Sequence, residues 1–129
     1  MSVYERRIEI RWADLDASRH VNNAVYLSYL EEVRTAWVER AVGDSATVWD
    51  YVLARVEIDY KRELTLADAA VVASCELGDV GNSSVRTKER VVTEAGEVAA
   101  EAEAVIVARD PETGRSRPIT DAERAGFAR

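Results

Sequence analysis

The sequence predicts an α+β fold in which an antiparallel sheet of about five strands packs against one long helix. Three observations predict this class. An alternating strand pattern opens the chain, a broad apolar helical stripe follows it, and four more alternating segments come next with no second long helix between them. Because the later strands follow one another directly along the chain, the sheet is expected to be antiparallel with its helix on one face.

The first predicted strand covers residues 3–13. Ile8, Ile10 and Trp12 alternate there with charged residues, which is the period of two expected of a half-buried strand. A polar loop follows and ends at Asn22 and Asn23. This pair is suited to cap a helix, because a short side-chain oxygen can accept a free backbone N–H.

The predicted helix runs from this cap to about Val42, and Gly43 ends it. Apolar residues recur at spacings of three and four, in the order Tyr26, Leu30, Val33, Trp37 and Ala41, and Leu27, Val38 and Val42 widen the stripe. A narrower polar face consists of Glu31, Glu32, Thr35 and Glu39. So broad an apolar surface predicts that a curved sheet wraps around the helix.

Four later segments are predicted to be strands: residues 51–61, 69–78, 83–93 and 98–109. On the first of them one face is expected to hold Val52, Ala54, Val56, Ile58 and Tyr60. Turns are predicted at residues 79–82, at the glycine-containing hairpin 94–97 and at residues 110–114. Near the end, Thr120 and Glu123 have the spacing of a capping box, which predicts one last helical turn.

Length and composition predict one domain over residues 1–129, in the cytoplasm. The net charge of −7, from 17 Lys and Arg against 24 Asp and Glu, disfavours a nucleic acid partner. The N-terminal segment lacks the apolar stretch of a secretory signal, and no run approaches the ~18 apolar residues that span a membrane. The one cysteine, Cys75, is expected in the core and cannot form an internal disulfide, which fits a reducing compartment.

Residues suited to chemistry are concentrated between Trp12 and Tyr29. Asp14, Asp16 and the only histidine, His20, precede the predicted helix start within a few residues. The start of a helix presents free N–H groups and the positive end of the helix dipole, so it suits a developing oxyanion. No metal is expected, because one His and one Cys cannot supply the usual ligand sets. No glycine-rich phosphate loop or serine-elbow motif is present.

The pattern Asp-x-Asp-x-x-x-His-Val-Asn-Asn-x-x-Tyr at residues 14–26, with Ile-Asp-Tyr-Lys-Arg at 58–62, resembles the hotdog-fold acyl-CoA thioesterases of the 4-hydroxybenzoyl-CoA thioesterase type. The resemblance implies a hotdog fold and a hydrolase that cleaves an acyl-CoA or acyl-carrier-protein thioester. It implies no cofactor beyond the coenzyme A of the substrate. Asp16 would be the general base or the nucleophile, and the backbone N–H of Asn23, seven residues later, would hold the oxyanion.

Three other residues of this stretch are assigned with less detail. Asp14 is expected to support the loop, by capping it or by pairing with Arg11. His20 is a candidate catalytic residue, because a histidine can assist proton transfer, although a loop histidine bonded to backbone is an equal alternative. Tyr26 is expected in the core or in the wall of the substrate pocket.

Two further positions bear on the substrate. Many relatives have glycine where this chain has Arg19, so the loop geometry is expected to differ or the cation to contact an anionic ligand. Ser83 and Ser84 are candidate substrate-binding residues, because their turn occupies the place where some relatives bind coenzyme A phosphates. That turn is uncharged here, so backbone amides or groups elsewhere would have to bind the phosphates.

Two function classes compete with hydrolysis. A hotdog protein that binds acyl-CoA or acyl carrier protein without hydrolysis would keep the pocket and tolerate loss of the Asp16 carboxylate. A dehydratase on the same fold is a weaker option, because its differently placed histidine and acid are not evident. A homodimer or homotetramer is expected in each case, since a second copy would cover an exposed sheet edge.

Overall fold

The computed structural model describes residues 3–129 and confirms the predicted α+β class. The strands are β1 (Tyr4–Glu9), β2 (Tyr51–Tyr60), β3 (Ala70–Val80), β4 (Ser84–Thr93) and β5 (Val98–Ala108), and the helices are α1 (Asn23–Val42) and α2 (Asp121–Ala128). All strands pair antiparallel in one five-stranded sheet of order β1-β3-β4-β5-β2. None of the helices in residues 3–129 is long and apolar enough to cross a membrane.

The helix α1 lies across one face of this sheet, which is called the inner face below. It packs chiefly on β3 and also on β1 and β4. Its predicted apolar stripe is buried except for Leu27, which is half-buried, and the acids Glu31, Glu32 and Glu39 are exposed, as expected. Cys75 is buried on the inner face of β3, which confirms its place in the core, and burial raises the pKa of its thiol. The prediction of a sheet packed around a helix is therefore correct.

One buried ion pair joins α1 to the sheet. The guanidinium of Arg34 donates to the carboxylate of Glu89 on β4 through Nε at 2.8 Å and through Nη2 at 3.0 Å. Both side chains are almost completely buried, and the hydroxyl of Thr87 also donates to Glu89. A carboxylate this deep in the core requires such partners, because an unpaired buried charge is strongly unfavourable.

The C-terminal helix α2 covers the end of the core beside α1. Its start is the predicted capping box: Thr120 accepts the N–H of Glu123, and Glu123 accepts the N–H of Thr120. It has two turns where one was predicted. Gly126 allows the close approach to α1, because a Cβ at that position would lie 1.8 Å from the carbonyl oxygen of Ala41.

Glu123 also anchors α2 to the sheet. Its buried carboxylate accepts the hydroxyl of Tyr51 at 2.7 Å and the guanidinium of Arg117 at 2.8 and 2.9 Å. Burial alone would raise the pKa of Glu123, but these donors and the Thr120 N–H lower it to about 2. The group is therefore ionised in the folded protein at all but very acid pH.

Two predictions about strand faces are wrong. The first strand ends at Glu9, and residues 12–14 form a 3₁₀ turn that leaves Trp12 80% exposed. In β2 a bulge at Ala54 shifts the register between Leu53 and Arg55, so Val52 points to the outer face. An alternating pattern of residues cannot reveal a bulge, because the extra residue exchanges the two faces from that point onward.

Candidate active site

The loop before α1 is built around the buried carboxylate of Asp14, which is 2% exposed. One oxygen accepts the backbone N–H of Arg11 at 2.9 Å and the hydroxyl of Tyr29 at 2.8 Å, and the other accepts the Arg11 guanidinium at 2.9 and 3.1 Å. Burial alone would raise the pKa of Asp14, but these donors outweigh it and hold the pKa below its ordinary value. The expected pairing with Arg11 is confirmed.

Asp16 is the exposed acid of the loop. Its Oδ1 accepts the backbone N–H of Ser18 at 3.0 Å and the Ser18 hydroxyl, and these bonds lower the pKa of Asp16. The loop closes on itself, because the Asp16 N–H donates to the carbonyl of His20 at 3.0 Å. Within residues 3–129 no hydrogen bond to Oδ2 is formed, although the nearby backbone N–H of His20 also lowers the pKa of this carboxylate. Asp16 therefore presents an ionised carboxylate with one oxygen available to a ligand.

The first turn of α1 leaves one backbone donor available. Asn22 is the predicted cap: its Oδ1 accepts the N–H of Ala24 at 2.9 Å, and its carbonyl accepts the N–H of Val25 at 2.8 Å. Asn22 is itself held, because its N–H donates to the carbonyl of Asp14 at 2.9 Å. The N–H of Asn23 has no acceptor in the described part of the chain. It is a free donor at the positive end of the helix dipole.

The segment that follows β2 contacts this loop and helix start. His20 Nε2 lies 3.2 Å from a carboxylate oxygen of Glu63. Tyr26 is buried, which confirms its expected place in the core, and its hydroxyl donates to the carbonyl of Arg62 at 3.0 Å. Tyr60 stands edge-on to the Tyr26 ring at 5.1 Å and donates its hydroxyl to the carbonyl of Asn23 at 2.9 Å. Residues 60–64 therefore support the helix start from outside the loop.

Arg19 occupies a left-handed backbone conformation, with φ of 65°. This region suits glycine and is uncommon for other residues, which accounts for the glycine of the related motif. The Arg19 N–H donates to the carbonyl of Asp16 at 3.0 Å, so the loop keeps its turn despite the larger residue. The side chain is exposed.

The structure brings Asp16, His20, Asn23 and Tyr26 together but not Ser83 and Ser84. Tyr60, beside Asn23, pairs with Ala100, whereas Ser84 pairs with Val107 seven residues further along β5. At about 3.4 Å per residue the two places are roughly 24 Å apart within one protomer. The predicted role of Ser83 and Ser84 therefore stays a prediction.

Within one protomer the candidate site is an open surface. Two concave regions, one on the outer face of the sheet and one between α1, α2 and β1, contain neither Asp16 nor Asn23. No group of three or more His, Cys, Asp or Glu side chains in residues 3–129 has the arrangement of a metal site. The chemistry available at the loop is therefore that of one carboxylate, one imidazole and one free backbone amide.

Several supporting residues were not identified as such in the sequence. Ser18 orients Asp16, and its position two residues after an aspartate is a local signal for this kind of turn. Tyr29 lies one turn after Tyr26, and its hydroxyl reaches Asp14. Tyr60 and Glu63 are far from the loop in sequence, and no local pattern connects them to it.

A five-stranded antiparallel sheet around one helix, with an acidic loop leading into the helix start, defines a hotdog protein. Residues 10–127 match the model of the Thioesterase-like superfamily, and the chain belongs to this family. This match confirms the hotdog fold and the predicted class of thioester hydrolase.

Known relatives agree with this assignment. A thioesterase from Thermus thermophilus, solved with coenzyme A and Zn, is 35% identical, with 96% of both chains covered and a TM-score of 0.87. The long-chain acyl-CoA thioesterase FadM of Escherichia coli (strain K12) is 28% identical over 118 residues, 87% of each chain. A 1,4-dihydroxy-2-naphthoyl-CoA thioesterase from Synechocystis is 13% identical, with 98% of this chain and 96% of that chain covered and a TM-score of 0.81, which shows a shared fold alone.

Proposed function

We propose that this chain hydrolyses acyl-CoA thioesters in the cytoplasm, giving a free acid and coenzyme A, at the loop between Asp16 and Asn23. The observation that carries the proposal is the pairing of two unused groups on one short segment. The Oδ2 atom of Asp16 accepts no hydrogen bond, and the Asn23 N–H has no acceptor, among residues 3–129. The names of FadM and of the coenzyme A complex from Thermus thermophilus support acyl-CoA as the substrate class.

In this proposal the thioester carbonyl oxygen accepts the Asn23 N–H, which stabilises the negative charge as the carbonyl carbon becomes tetrahedral. Asp16 either takes a proton from the attacking water or attacks the carbon itself to form an anhydride that water then opens. In both routes the carbon–sulfur bond breaks and the thiol leaves. The substrate supplies the only coenzyme required.

The test is thiol release from a panel of acyl-CoAs by the parent chain and by Asp16→Asn. Removing a general base or nucleophile is expected to lower kcat by at least about 10²-fold. Asp79→Asn, an exposed acid on the outer face of the sheet, is the matched control and should leave kcat unchanged. Equal activity of Asp16→Asn and the parent would remove Asp16 from the mechanism. Acyl-CoA binding without thiol release in the parent would favour the non-hydrolytic alternative.

A single-turnover reaction in ¹⁸O-labelled water separates the two routes. If Asp16 is the nucleophile and water opens the anhydride at the Asp16 carbonyl carbon, the label appears in the Asp16 carboxylate and the acid product takes an unlabelled Asp16 oxygen. If Asp16 is the base, all label enters the acid product. Mass spectrometry of the peptide that contains Asp16 distinguishes these results.

We also propose that a second copy pairs with the exposed edge strand β2. Inner-face residues of β2 are incompletely covered, and Leu53 is 49% and Tyr60 43% exposed. When two identical antiparallel strands pair about a two-fold axis, one residue must face its own copy, because directly opposed residues point to the same side. With Val56 at the axis, Arg55 of each copy faces Glu57 of the other.

Such a dimer would complete the open site. Antiparallel pairing places the end of β2 that carries Tyr60 beside the start of the second copy's β2. In each copy the start of β2 and the 83–84 turn lie at the same end of the sheet. The predicted contact of Ser83 and Ser84 with coenzyme A would therefore come from the second copy. Asp16 and Asn23 of one copy and Ser83 and Ser84 of the other would then lie on one surface.

Charge exchange tests this arrangement. Arg55→Glu and Glu57→Arg each oppose like charges across the axis, so sedimentation should show weaker dimers for both. The double variant restores opposite charges and should restore the parent's association. A double variant as weak as the single ones would show that these residues do not face each other.

A further inference from the structure

Residues 60–64 hold the loop and helix start by four contacts. The hydroxyl of Tyr60 donates to the Asn23 carbonyl at 2.9 Å, and the Tyr26 hydroxyl donates to the Arg62 carbonyl at 3.0 Å. The Val21 N–H donates to the Leu64 carbonyl at 2.8 Å, and His20 pairs with Glu63 at 3.2 Å. Residues 20–26, which include the proposed oxyanion donor, are thus bonded at several points to residues 60–64, about 40 residues later in the chain.

Only one of these contacts reaches the residue that supplies the free amide. The Tyr60 hydroxyl bonds the carbonyl of Asn23, and Asn23 is the first residue of α1. At a helix start the N–H groups lack intrahelical acceptors, so the Asn23 N–H itself is not held by a hydrogen bond. This N–H belongs to the peptide unit that joins Asn22 and Asn23, and the carbonyl of that unit accepts the Val25 N–H. Tyr60 restrains the next peptide unit through the Asn23 carbonyl, and so adds a restraint on the C-terminal side of the free N–H.

We propose that Tyr60 is a positioning residue that aims the Asn23 N–H at the oxyanion, an inference that rests on the proposed function. Tyr60 is 43% exposed in the single protomer, and one neutral hydrogen bond contributes little net stability. An oxyanion donor, in contrast, must lie close to the position of the developing charge, and loss of one such donor lowers kcat by about 10²–10³-fold. The effect of the hydroxyl is therefore expected on rate rather than on folding.

The Tyr60→Phe variant removes the hydroxyl and keeps the ring that packs on Tyr26. Its matched control is Tyr4→Phe, because the Tyr4 hydroxyl makes no hydrogen bond within residues 3–129. Both variants and the parent are assayed for kcat and KM with the best acyl-CoA. The amide signal of Asn23 and its hydrogen-exchange rate are followed by ¹⁵N NMR in the protein without ligand.

For Tyr60→Phe we expect kcat to fall about tenfold, between no effect and the loss of a complete donor, with KM within about twofold. The Asn23 amide signal should shift and exchange faster, while Tyr4→Phe matches the parent in every measurement. An unchanged kcat, an unchanged Asn23 amide, or a rise in KM alone would overturn the proposal.

The Asp16→Asn variant separates this proposal from the proposed function. If Asp16→Asn retains full activity, the mechanism above fails, whatever Tyr60→Phe does. If the parent hydrolyses no thioester, the NMR measurement still decides whether Tyr60 restrains Asn23, and an unmoved amide would overturn that restraint.

Discussion

Replacement of Asp14 by alanine separates support of the site from its chemistry. The variant leaves the N–H of Arg11 and the hydroxyl of Tyr29, which is 4% exposed, without their acceptor. The buried Tyr29 hydroxyl left unpaired costs about 1–3 kcal/mol, the part-buried Arg11 N–H about 1 kcal/mol, and the exposed Arg11 guanidinium adds little because water replaces its partner. The sum is about 3 kcal/mol, which for a domain of this length corresponds to a fall in Tm of roughly 11 °C.

The assay is thermal unfolding of Asp14→Ala beside Tyr29→Phe and Asp16→Asn. Tyr29→Phe removes one hydrogen bond and should lose about 1 kcal/mol. Asp16→Asn changes an exposed side chain and should leave the unfolding temperature nearly unchanged while it abolishes hydrolysis. If Asp14→Ala unfolds within about 2 °C of the parent, the loop does not depend on this carboxylate.

Three further predictions concern stability. Glu123→Gln should lower the free energy of unfolding by about 3 kcal/mol at pH 7, because the pKa of Glu123 falls from 4.5 to about 2 on folding. That stabilisation is present above pH 4.5 and decreases as the pH falls towards 2. Urea unfolding of the variant and the parent at pH 7 and pH 3 measures it. Gly126→Ala should destabilise by about 1–3 kcal/mol in urea, although alanine is the better helix former, because its Cβ would overlap the carbonyl of Ala41. Arg34→Met should cost about 3–5 kcal/mol by the same method, because it leaves Glu89 buried without its charge partner, and Arg34→Met with Glu89→Leu should recover much of that loss.

Matched changes on α2 serve as controls for two of these predictions. Asp121→Asn alters an exposed acid in the same first turn as Glu123 and should leave the pH dependence of stability nearly unchanged. Ala125→Gly should show the ordinary helix preference, a loss of about 1 kcal/mol. If Gly126→Ala instead stabilises the chain by that amount, α2 does not need its close approach to α1.

Local periodicity was sufficient to predict α1, because a helix that packs on a sheet must present one apolar stripe along its length. The predicted end of β1 was wrong, because a side-chain hydrogen bond turns the chain there. The side chain of Asp14 accepts the N–H of Arg11 and turns the chain, so Trp12 leaves the sheet although the alternation of residues continues.

The candidate site was predicted in part. Its motif lies within one continuous segment, so Asp16, His20 and Asn23 could be recognised together. Arg34 and Glu89 are 55 residues apart, and Tyr60 is 37 residues from Asn23. A charged residue such as Arg34 in a helical pattern is expected on the surface. Only the folded structure shows that Glu89 lies opposite it in the core. Supports of this kind depend on strand order and register, which the sequence of one chain does not specify locally.

The buried pair between Arg34 and Glu89 has a mechanical consequence for the helix start. Arg34 is 11 residues from Asn23, or about 16 Å along the axis of α1. Rotation of the helix about its axis, or a slide by one turn, would separate the two charges inside the core. A slide of one turn would move Asn23 by about 5.4 Å and would take its carbonyl out of hydrogen-bonding reach of the Tyr60 hydroxyl. The ion pair in the middle of the core thus fixes the position of the helix start along the face of the sheet.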